Sequence, residues 1–281
     1  MKRIISILLA VLLVGLTFAG CSGKGEGKTD ESSGILVKAG TLMVGMEVGY
    51  PPMEYLDEDG TTPIGFDVEM SRAIAELLGL ELEIVNTAWD GIFAAVEKKE
   101  FDFICSSVSI TPDREEKYIL TNAYISNKIV LAVGLDNDDI NTLEDLKGKK
   151  VAVQAETTSH NLARDLIEDG AEFEIMPYEK VIQCYDELGL GRIDAILVDD
   201  VVAVDYKDVS KVVWNSPEGE DIGICFNKEN GELAEIVDQA IDVLYYDGTI
   251  AQIAEKYFGF NSTEGVRVVT EEPEIDLSKL S

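Results

Sequence analysis

The chain has 281 residues and 46% of them are hydrophobic, so it is long enough for one large domain or for two domains of ordinary size with buried cores. Its formal net charge is −31 at pH 7. A surface of that sign repels the phosphates of nucleic acids and of anionic lipid headgroups, so neither is expected to bind the folded protein. The simplest consequence of the excess acids is solubility.

The beginning of the chain has the pattern of a secretory signal peptide. Lys2 and Arg3 precede an apolar run over residues 4–16, and small residues follow it. The run is short for a membrane-spanning helix, which takes about 20 residues. We therefore expect residues 1–20 to be a signal peptide that is removed during export.

Cys21 comes directly after these small residues and resembles the modified cysteine of a lipobox, although Phe18 stands where that motif usually has Leu. The resemblance implies that Cys21 is acylated, with palmitate as one of the acyl chains. The alternative is an ordinary signal peptide followed by a chance cysteine. Residues 22–34 are rich in Gly and Ser and cannot bury enough apolar surface to become ordered. Residues 21–35 are therefore predicted to tether an extracytoplasmic protein to the cell membrane.

The first half of the chain alternates strands with helices. Apolar runs of β-forming residues predict the strands, and amphipathic stretches predict the helices between them. The predicted strands are Leu42–Met46, Leu82–Val85 and Phe101–Val108, and the predicted helices are Asp67–Leu78 and Ile92–Lys98. This β-α-β-α-β order indicates an α/β fold with a parallel sheet covered by helices.

Polar and aromatic side chains follow the ends of these strands. They are Glu47, Tyr50, Trp89, Ser107, Ser109 and Arg114. Ligands bind beyond the carboxyl ends of the strands in such sheets, so these residues are predicted to share one edge. The guanidinium of Arg114 and the neighbouring hydroxyls can converge on a small anion. The alternative for this stretch is a Ser-rich loop with one exposed Arg.

A second β-α-β series follows. Its predicted strands are Val151–Val153, Phe173–Ile175 and Ile193–Val198, its helices run from Glu156 to about Glu168 and from Tyr178 to Leu188, and a last strand at Ile222–Phe226 precedes helices at Glu232–Tyr246 and Ile250–Tyr257. Val266–Val269 is a possible further strand. The order helix, turn, strand in Trp89–Ser107 is repeated in Tyr178–Asp200, which indicates two similar lobes.

Three cysteines lie beyond Cys21, and an odd number does not suggest a disulfide framework. We expect Cys105, Cys184 and Cys225 to be buried free thiols. No metal-ligand spacing, phosphate-binding loop or nucleophile–base arrangement occurs, so neither a metal site nor a cofactor is predicted.

Five motifs occur in order over about residues 36–260. They are Gly65-Phe66-Asp67, Ser107–Arg114, Asp145–Lys149, Gly191–Ala195 and Asp247-Gly248-Thr249. Together they resemble the extracellular amino-acid-binding proteins of ABC importers, solute-binding protein family 3, which includes binders of glutamine, histidine and lysine/arginine/ornithine. The resemblance implies a type II periplasmic-binding-protein fold, in which two lobes, each a sheet covered by helices, are joined by two crossovers that form a hinge.

The resemblance also implies boundaries. Lobe 1 would comprise residues 36–127 plus 222–260, and lobe 2 would comprise residues 128–221. Residues 261–281 would form an acidic C-terminal extension beyond the usual end of the family.

The family resemblance assigns the ends of an amino-acid ligand to particular residues. Arg114 would clamp the α-carboxylate, assisted by a backbone group near Ser107 and by the hydroxyl of Ser109. Backbone amides at Thr157 and Thr158 would hold the same carboxylate from lobe 2, since a helix N-terminus favours anions.

The same resemblance assigns the rest of the ligand. Asp199 would accept from the α-ammonium, and Tyr50 and Trp89 would enclose the side chain. Glu47 and Gln154 would face its distal end, which favours arginine, lysine, ornithine or histidine, with glutamine as the alternative. An apolar side chain would fit if Glu47 pointed to solvent. One departure from the family is Glu156, which stands where relatives usually have Gly or another small residue.

We therefore expect a monomeric extracytoplasmic lipoprotein that binds a polar, basic amino acid and delivers it to the permease of an ABC transporter. No catalytic residue is predicted. The alternative is an enzyme of the dehydratase type, acting on a small carboxylic acid with the same fold.

Overall fold

The structure is a computed structural model that describes residues 34–280. The predicted signal peptide, Cys21 and nearly all of the predicted tether lie outside these residues. Within residues 34–280, no helix is both long enough and apolar enough to cross a membrane.

The elements alternate as the sequence indicates. Strands β1 to β14 are, in chain order, Thr41–Met46, Tyr55–Leu56, Pro63–Ile64, Glu81–Asn86, Phe103–Ile104, Ile119–Leu120, Ile125–Asn127, Ile129–Gly134, Lys150–Gln154, Glu174–Tyr178, Ala195–Asp199, Ser210–Asn215, Glu220–Ile222 and Cys225–Phe226. Helices α1 to α8 are Phe66–Leu78, Trp89–Glu97, Pro112–Lys117, Thr158–Glu168, Val181–Gly189, Asp200–Ala203, Gly231–Tyr246 and Thr249–Phe258. Short 3₁₀ turns lie at Leu143–Leu146, Val204–Tyr206 and Leu277–Lys279.

The first sheet has five strands in the order β4-β1-β5-β14-β6. β1 runs parallel to β4 and β5, whereas β14 runs antiparallel to β5 and β6. Strand β1 is apolar along its length because it lies inside the sheet, with Leu42, Val44 and Met46 fully buried. Gly45 is required within it, since a Cβ there would lie 2.3 Å from the ring of Phe101.

The second sheet has the order β10-β9-β11-β8-β12. β9 runs parallel to β10 and β11, and β8 runs antiparallel to β11 and β12. The edge strand β12 was not predicted, because its apolar run, Val212–Trp214, is only three residues long. The two sheets, each with its covering helices, give the α/β two-lobed fold that the motifs implied.

Two short strands connect the halves of the molecule. β7 and β13 pair antiparallel, with Ile125 opposite Ile222 and Asn127 opposite Glu220. The single strand predicted over Ile222–Phe226 is therefore two strands, one in this crossover and one in the first sheet. The chain changes partners at Gly223, where a Cβ would lie 3.0 Å from Ile110.

Two further predictions of secondary structure were wrong. Arg114 lies in helix α3 and not in a loop, because Thr111 caps the helix and Pro112 occupies its first turn, where a missing N–H costs nothing. Val266–Val269 forms no strand. Arg267 within it instead forms ion pairs with Asp238 and Asp242 of α7, both at 2.8 Å.

Candidate functional site

A cavity lies between the two sheets. All ten ligand-binding residues predicted from the sequence line it, and they are Glu47, Tyr50, Trp89, Ser107, Ser109, Arg114, Gln154, Thr157, Thr158 and Asp199. Glu54 and Ser106, which were not among the predicted ligand-binding residues, complete the wall. The structure thus brings the ten residues together, whereas their part in binding a ligand stays a prediction.

Arg114 lies at the wall of the cavity and is held by one hydrogen bond and two aromatic contacts. Its Nη1 donates to the carbonyl oxygen of Ser109 at 2.8 Å. The guanidinium carbon lies 5.5 Å from the ring centroid of Trp89 and 5.2 Å from that of Phe93, so the cation lies over two aromatic faces. Burial lowers the pKa of Arg114, but an arginine stays charged in proteins. The site therefore holds a fixed, desolvated positive charge.

A buried carboxylate supports the serine loop that follows β5. Asp67, the acid of the Gly-Phe-Asp motif, accepts from the backbone N–H of Ser107 at 2.8 Å and from the hydroxyl of Tyr124 at 2.9 Å. Ser107 has a backbone φ of 49°, in the left-handed region that non-glycine residues seldom occupy. The hydrogen bond from its N–H to Asp67 helps to hold that conformation, so Asp67 fixes the loop.

Glu54 lies beneath the same loop and is 1% exposed. Its Oε1 accepts from the hydroxyl of Ser106 at 2.5 Å. Burial, and then the charge of Asp67, raise the pKa of Glu54 well above its usual range, and burial raises the pKa of Asp67 to about 6. Two carboxyls in so dry a place favour a shared proton. Neither the sequence pattern nor the motifs predicted a role for Glu54.

Asp199 ends β11 and faces Tyr50 of the other half of the molecule. The hydroxyl of Tyr50 donates to Asp199 Oδ2 at 2.7 Å, and Asp199 is 7% exposed. Burial raises the pKa of Asp199 to about 7, and the negative charge of Glu220 adds to that effect. Tyr50 is thus a hydrogen-bond partner of Asp199 as well as a wall of the cavity.

Glu47 and Gln154 meet at the opposite end of the cavity. Gln154 Nε2 donates to Glu47 Oε2 at 2.6 Å and to the carbonyl oxygen of Glu179 at 3.1 Å. Glu47 is 4% exposed, so the alternative in which it points to solvent is wrong. Burial raises its pKa to about 7, against the opposing effects of the Gln154 hydrogen bond and the Lys180 charge.

Helix α4 presents its N-terminus to the cavity. The hydroxyl of Thr157 accepts from the N–H of His160 at 3.2 Å and donates to the carbonyl oxygen of Gln154 at 2.8 Å, which caps the helix. The hydroxyl of Thr158 donates to Glu220 at 2.9 Å. The unpaired N–H groups of such a helix end favour an anion.

Glu156 has a backbone φ of 63°, in the left-handed region that glycine occupies most readily. Its N–H donates to Nδ1 of His160 at 3.1 Å. Its carbonyl oxygen accepts from the indole of Trp89 at 3.3 Å, so the loop also contacts the other half of the molecule.

The other predicted features concern cysteines and metals. Cys105, Cys184 and Cys225 are buried and free, as predicted. Among the described residues, no group of three or more His, Cys, Asp or Glu side chains is placed to hold a metal ion.

The chain resembles known binding proteins over most of its length. The L-cystine-binding protein TcyJ of Escherichia coli (strain K12) is 34% identical over 265 residues, which is 92% of this chain and 96% of that protein. An ancestral arginine-binding protein bound to arginine has a TM-score of 0.74 and 35% identity, and the match covers 78% of this chain and 99% of that one.

A third match bears on the enzyme alternative. The ancestral amino acid-binding protein AncCDT-1, a precursor of cyclohexadienyl dehydratase, has a TM-score of 0.73 and 34% identity, over 78% of this chain and 96% of that one. It is described as an amino acid-binding protein, as are the other two matches, so the comparisons favour a binding protein over the dehydratase alternative. The family suggested by the five motifs is confirmed, because the family model matches residues 42–260. On this evidence the chain belongs to the bacterial extracellular solute-binding proteins, family 3.

Proposed function

We propose that the protein is the extracytoplasmic amino-acid-binding component of an ABC importer, which holds one amino acid in the cavity and delivers it to the permease. The observation that carries this proposal is the placement of opposite charges. Arg114, which is partly buried, and Asp199, which is buried, both lie at the wall of one cavity, and they come from different halves of the molecule.

A zwitterion satisfies both charges at once. Its α-carboxylate would bind the guanidinium of Arg114, the hydroxyl of Ser109 and the N-terminus of α4, and its α-ammonium would bind Asp199. Enclosure between the lobes removes water from these ion pairs, which strengthens each of them. Because residues of both lobes would contact the same ligand, the ligand would connect the lobes, and binding would favour the closed arrangement.

The distal end of the cavity suits a cationic side chain. Glu47 is buried there without a cationic hydrogen-bond partner, and burial raises its pKa although the Gln154 hydrogen bond and the Lys180 charge oppose that rise, so a positive charge beside it would stabilise the carboxylate. A guanidinium or ammonium between Tyr50 and Trp89 would supply that charge and gain about 0.5–2 kcal/mol from the aromatic faces. We therefore propose a basic amino acid, as for the arginine-bound ancestral relative.

L-cystine is the second candidate, since TcyJ is named as a cystine-binding protein. A groove adjoins the cavity at Glu47 and Trp89 and contains Lys180. The second ammonium of cystine would meet Glu47 and its second carboxylate would meet Lys180. This groove gives a specific reason to test a ligand with two amino-acid ends.

The remaining parts of the proposal concern the cell surface. The lipobox-like sequence at Cys21 supports acylation of that residue and anchoring of the protein outside the cytoplasm. We propose that the protein acts as a monomer. The lipid would attach it to the cell membrane, and the transmembrane permease would be its macromolecular partner. Mass spectrometry of the protein purified from its membrane tests the acylation, and an unmodified Cys21 would contradict it.

A thermal-shift screen of the twenty standard amino acids, ornithine and cystine tests the proposed function. A ligand that binds only the folded state raises its stability, by about 2.7 kcal/mol at one hundred times the dissociation constant. We expect arginine, lysine, ornithine or cystine to give the largest shift. The proposal fails if no amino acid raises the melting temperature, and the dehydratase alternative gains support if a cyclohexadienyl acid is converted.

A further inference from the structure

Glu220 belongs to the second crossover but reaches the residues proposed to bind the ligand. It is the first residue of β13 and lies opposite Asn127 of β7. Its carboxylate does not line the cavity, because it approaches from the hinge side. It is nevertheless half-buried, and burial raises its pKa.

The contacts of Glu220 join both lobes. Its Oε2 accepts from the hydroxyl of Thr158 in lobe 2 at 2.9 Å and from the hydroxyl of Ser109 in lobe 1 at 3.4 Å. These two hydroxyl oxygens are themselves 3.4 Å apart. The positive charge of Arg114 opposes the rise in the pKa of Glu220, so the guanidinium also acts on this carboxylate.

Each hydroxyl has a single hydrogen to donate. If Ser109 and Thr158 donate to Glu220, they cannot donate to the α-carboxylate of a ligand in the cavity. The charge of Glu220 also repels a second carboxylate close to Arg114. Glu220 and the ligand thus compete for the same donors and the same cation, although they approach from different sides.

We propose that Glu220 is an internal competitor of the ligand carboxylate, a positioning residue that links the two lobes and lowers the affinity of the site. This inference rests on the proposed function, since it assumes an amino acid in the cavity. A competitor of this kind keeps binding reversible, because the released donors return to Glu220 when the ligand leaves.

The test changes the side-chain carboxylate of Glu220 and compares a free amino acid with a ligand that lacks the α-carboxylate. In Glu220→Gln the side chain keeps its shape but loses its charge, and in Glu220→Ala the acceptor is absent. Calorimetry would compare L-arginine with L-argininamide, or L-cystine with its diamide if the screen selects cystine. The matched control is Asp221→Asn, an exposed acid at the next position of β13, whose side chain points to the opposite face.

Glu220→Ala is expected to bind the free amino acid about 3- to 10-fold more tightly than wild type, the range for about one net hydrogen bond. Glu220→Gln should show a smaller gain, the amide ligand should gain less than the free acid because it keeps a carbonyl acceptor but carries no negative charge, and Asp221→Asn should match wild type. Weaker binding in both Glu220 variants, unchanged affinity, or equal gains for acid and amide would overturn the inference. A wild-type protein that binds no amino acid would instead refute the proposed function.

Discussion

Replacement of Arg114 by Ala tests the charge on which the proposed site depends. In the structure the guanidinium is desolvated, hydrogen-bonded to Ser109 and stacked over Trp89 and Phe93, so it pays little entropy to receive a carboxylate. Truncation of one partner of such a buried charge pair costs about 2–5 kcal/mol of binding free energy. The dissociation constant should therefore rise about 30- to 4,000-fold.

Calorimetry on the wild type and Arg114→Ala, with the ligand selected by the thermal-shift screen, measures this change. The matched control is Arg192→Ala, because Arg192 is an exposed arginine paired with Glu187 at 2.9 Å and lies outside the cavity. An exposed pair contributes about 0–1 kcal/mol to stability, so this variant should bind as wild type does. The reasoning is refuted if Arg114→Ala folds and binds the ligand within about threefold of the wild-type affinity.

Three further predictions follow from the site. Glu47→Gln should strongly lower the affinity for a cationic ligand and lower the affinity for glutamine less, because the amide keeps an acceptor but loses the charge. If competition binding gives the variant the same affinity as the wild type, the assignment of Glu47 to the distal end is contradicted. The folded-state pKa is about 7 for Glu47 and Asp199 and about 6 for Asp67, all above the unfolded values of about 3.9–4.3. Their contribution to stability is therefore complete below about pH 4 and lost as the pH rises through 6–7, so urea unfolding should give a larger free energy at pH 5 than at pH 8. Finally, a ligand that bridges the lobes should reduce the radius of gyration in solution scattering, and an identical profile at saturation would argue against hinge closure.

The positions of the cavity residues could be predicted because strand ends carry that information. Glu47 and Asp199 lie where apolar strands stop, and parallel strands present their carboxyl ends at one edge of a sheet. The motif Gly65-Phe66-Asp67 and the serine loop after β5 lie at the same edge of the first sheet. Such patterns are local in sequence, so a single chain displays them.

The contacts made by Glu54 and Glu220 could not be predicted in this way. Glu54 bonds Ser106 and Glu220 bonds Thr158, partners that are 52 and 62 residues away. Nothing in the composition around either acid distinguishes it from the many solvated acids of the chain. Helix α3 was missed for a different reason, since the proline at its start was interpreted as the end of a strand and not as the first turn of a helix.

Trp89 gives the protein an optical property of its own. Its indole is 8% exposed and donates to the carbonyl oxygen of Glu156 across the cavity. The chain has two tryptophans, and the other, Trp214, lies in β12 at the edge of the second sheet. Separation of the lobes would break the Trp89 hydrogen bond and wet its ring while Trp214 kept its surroundings. The fluorescence of Trp89 should therefore report on the opening of the cavity without an attached dye, and the fluorescence of Trp214 would serve as an internal reference.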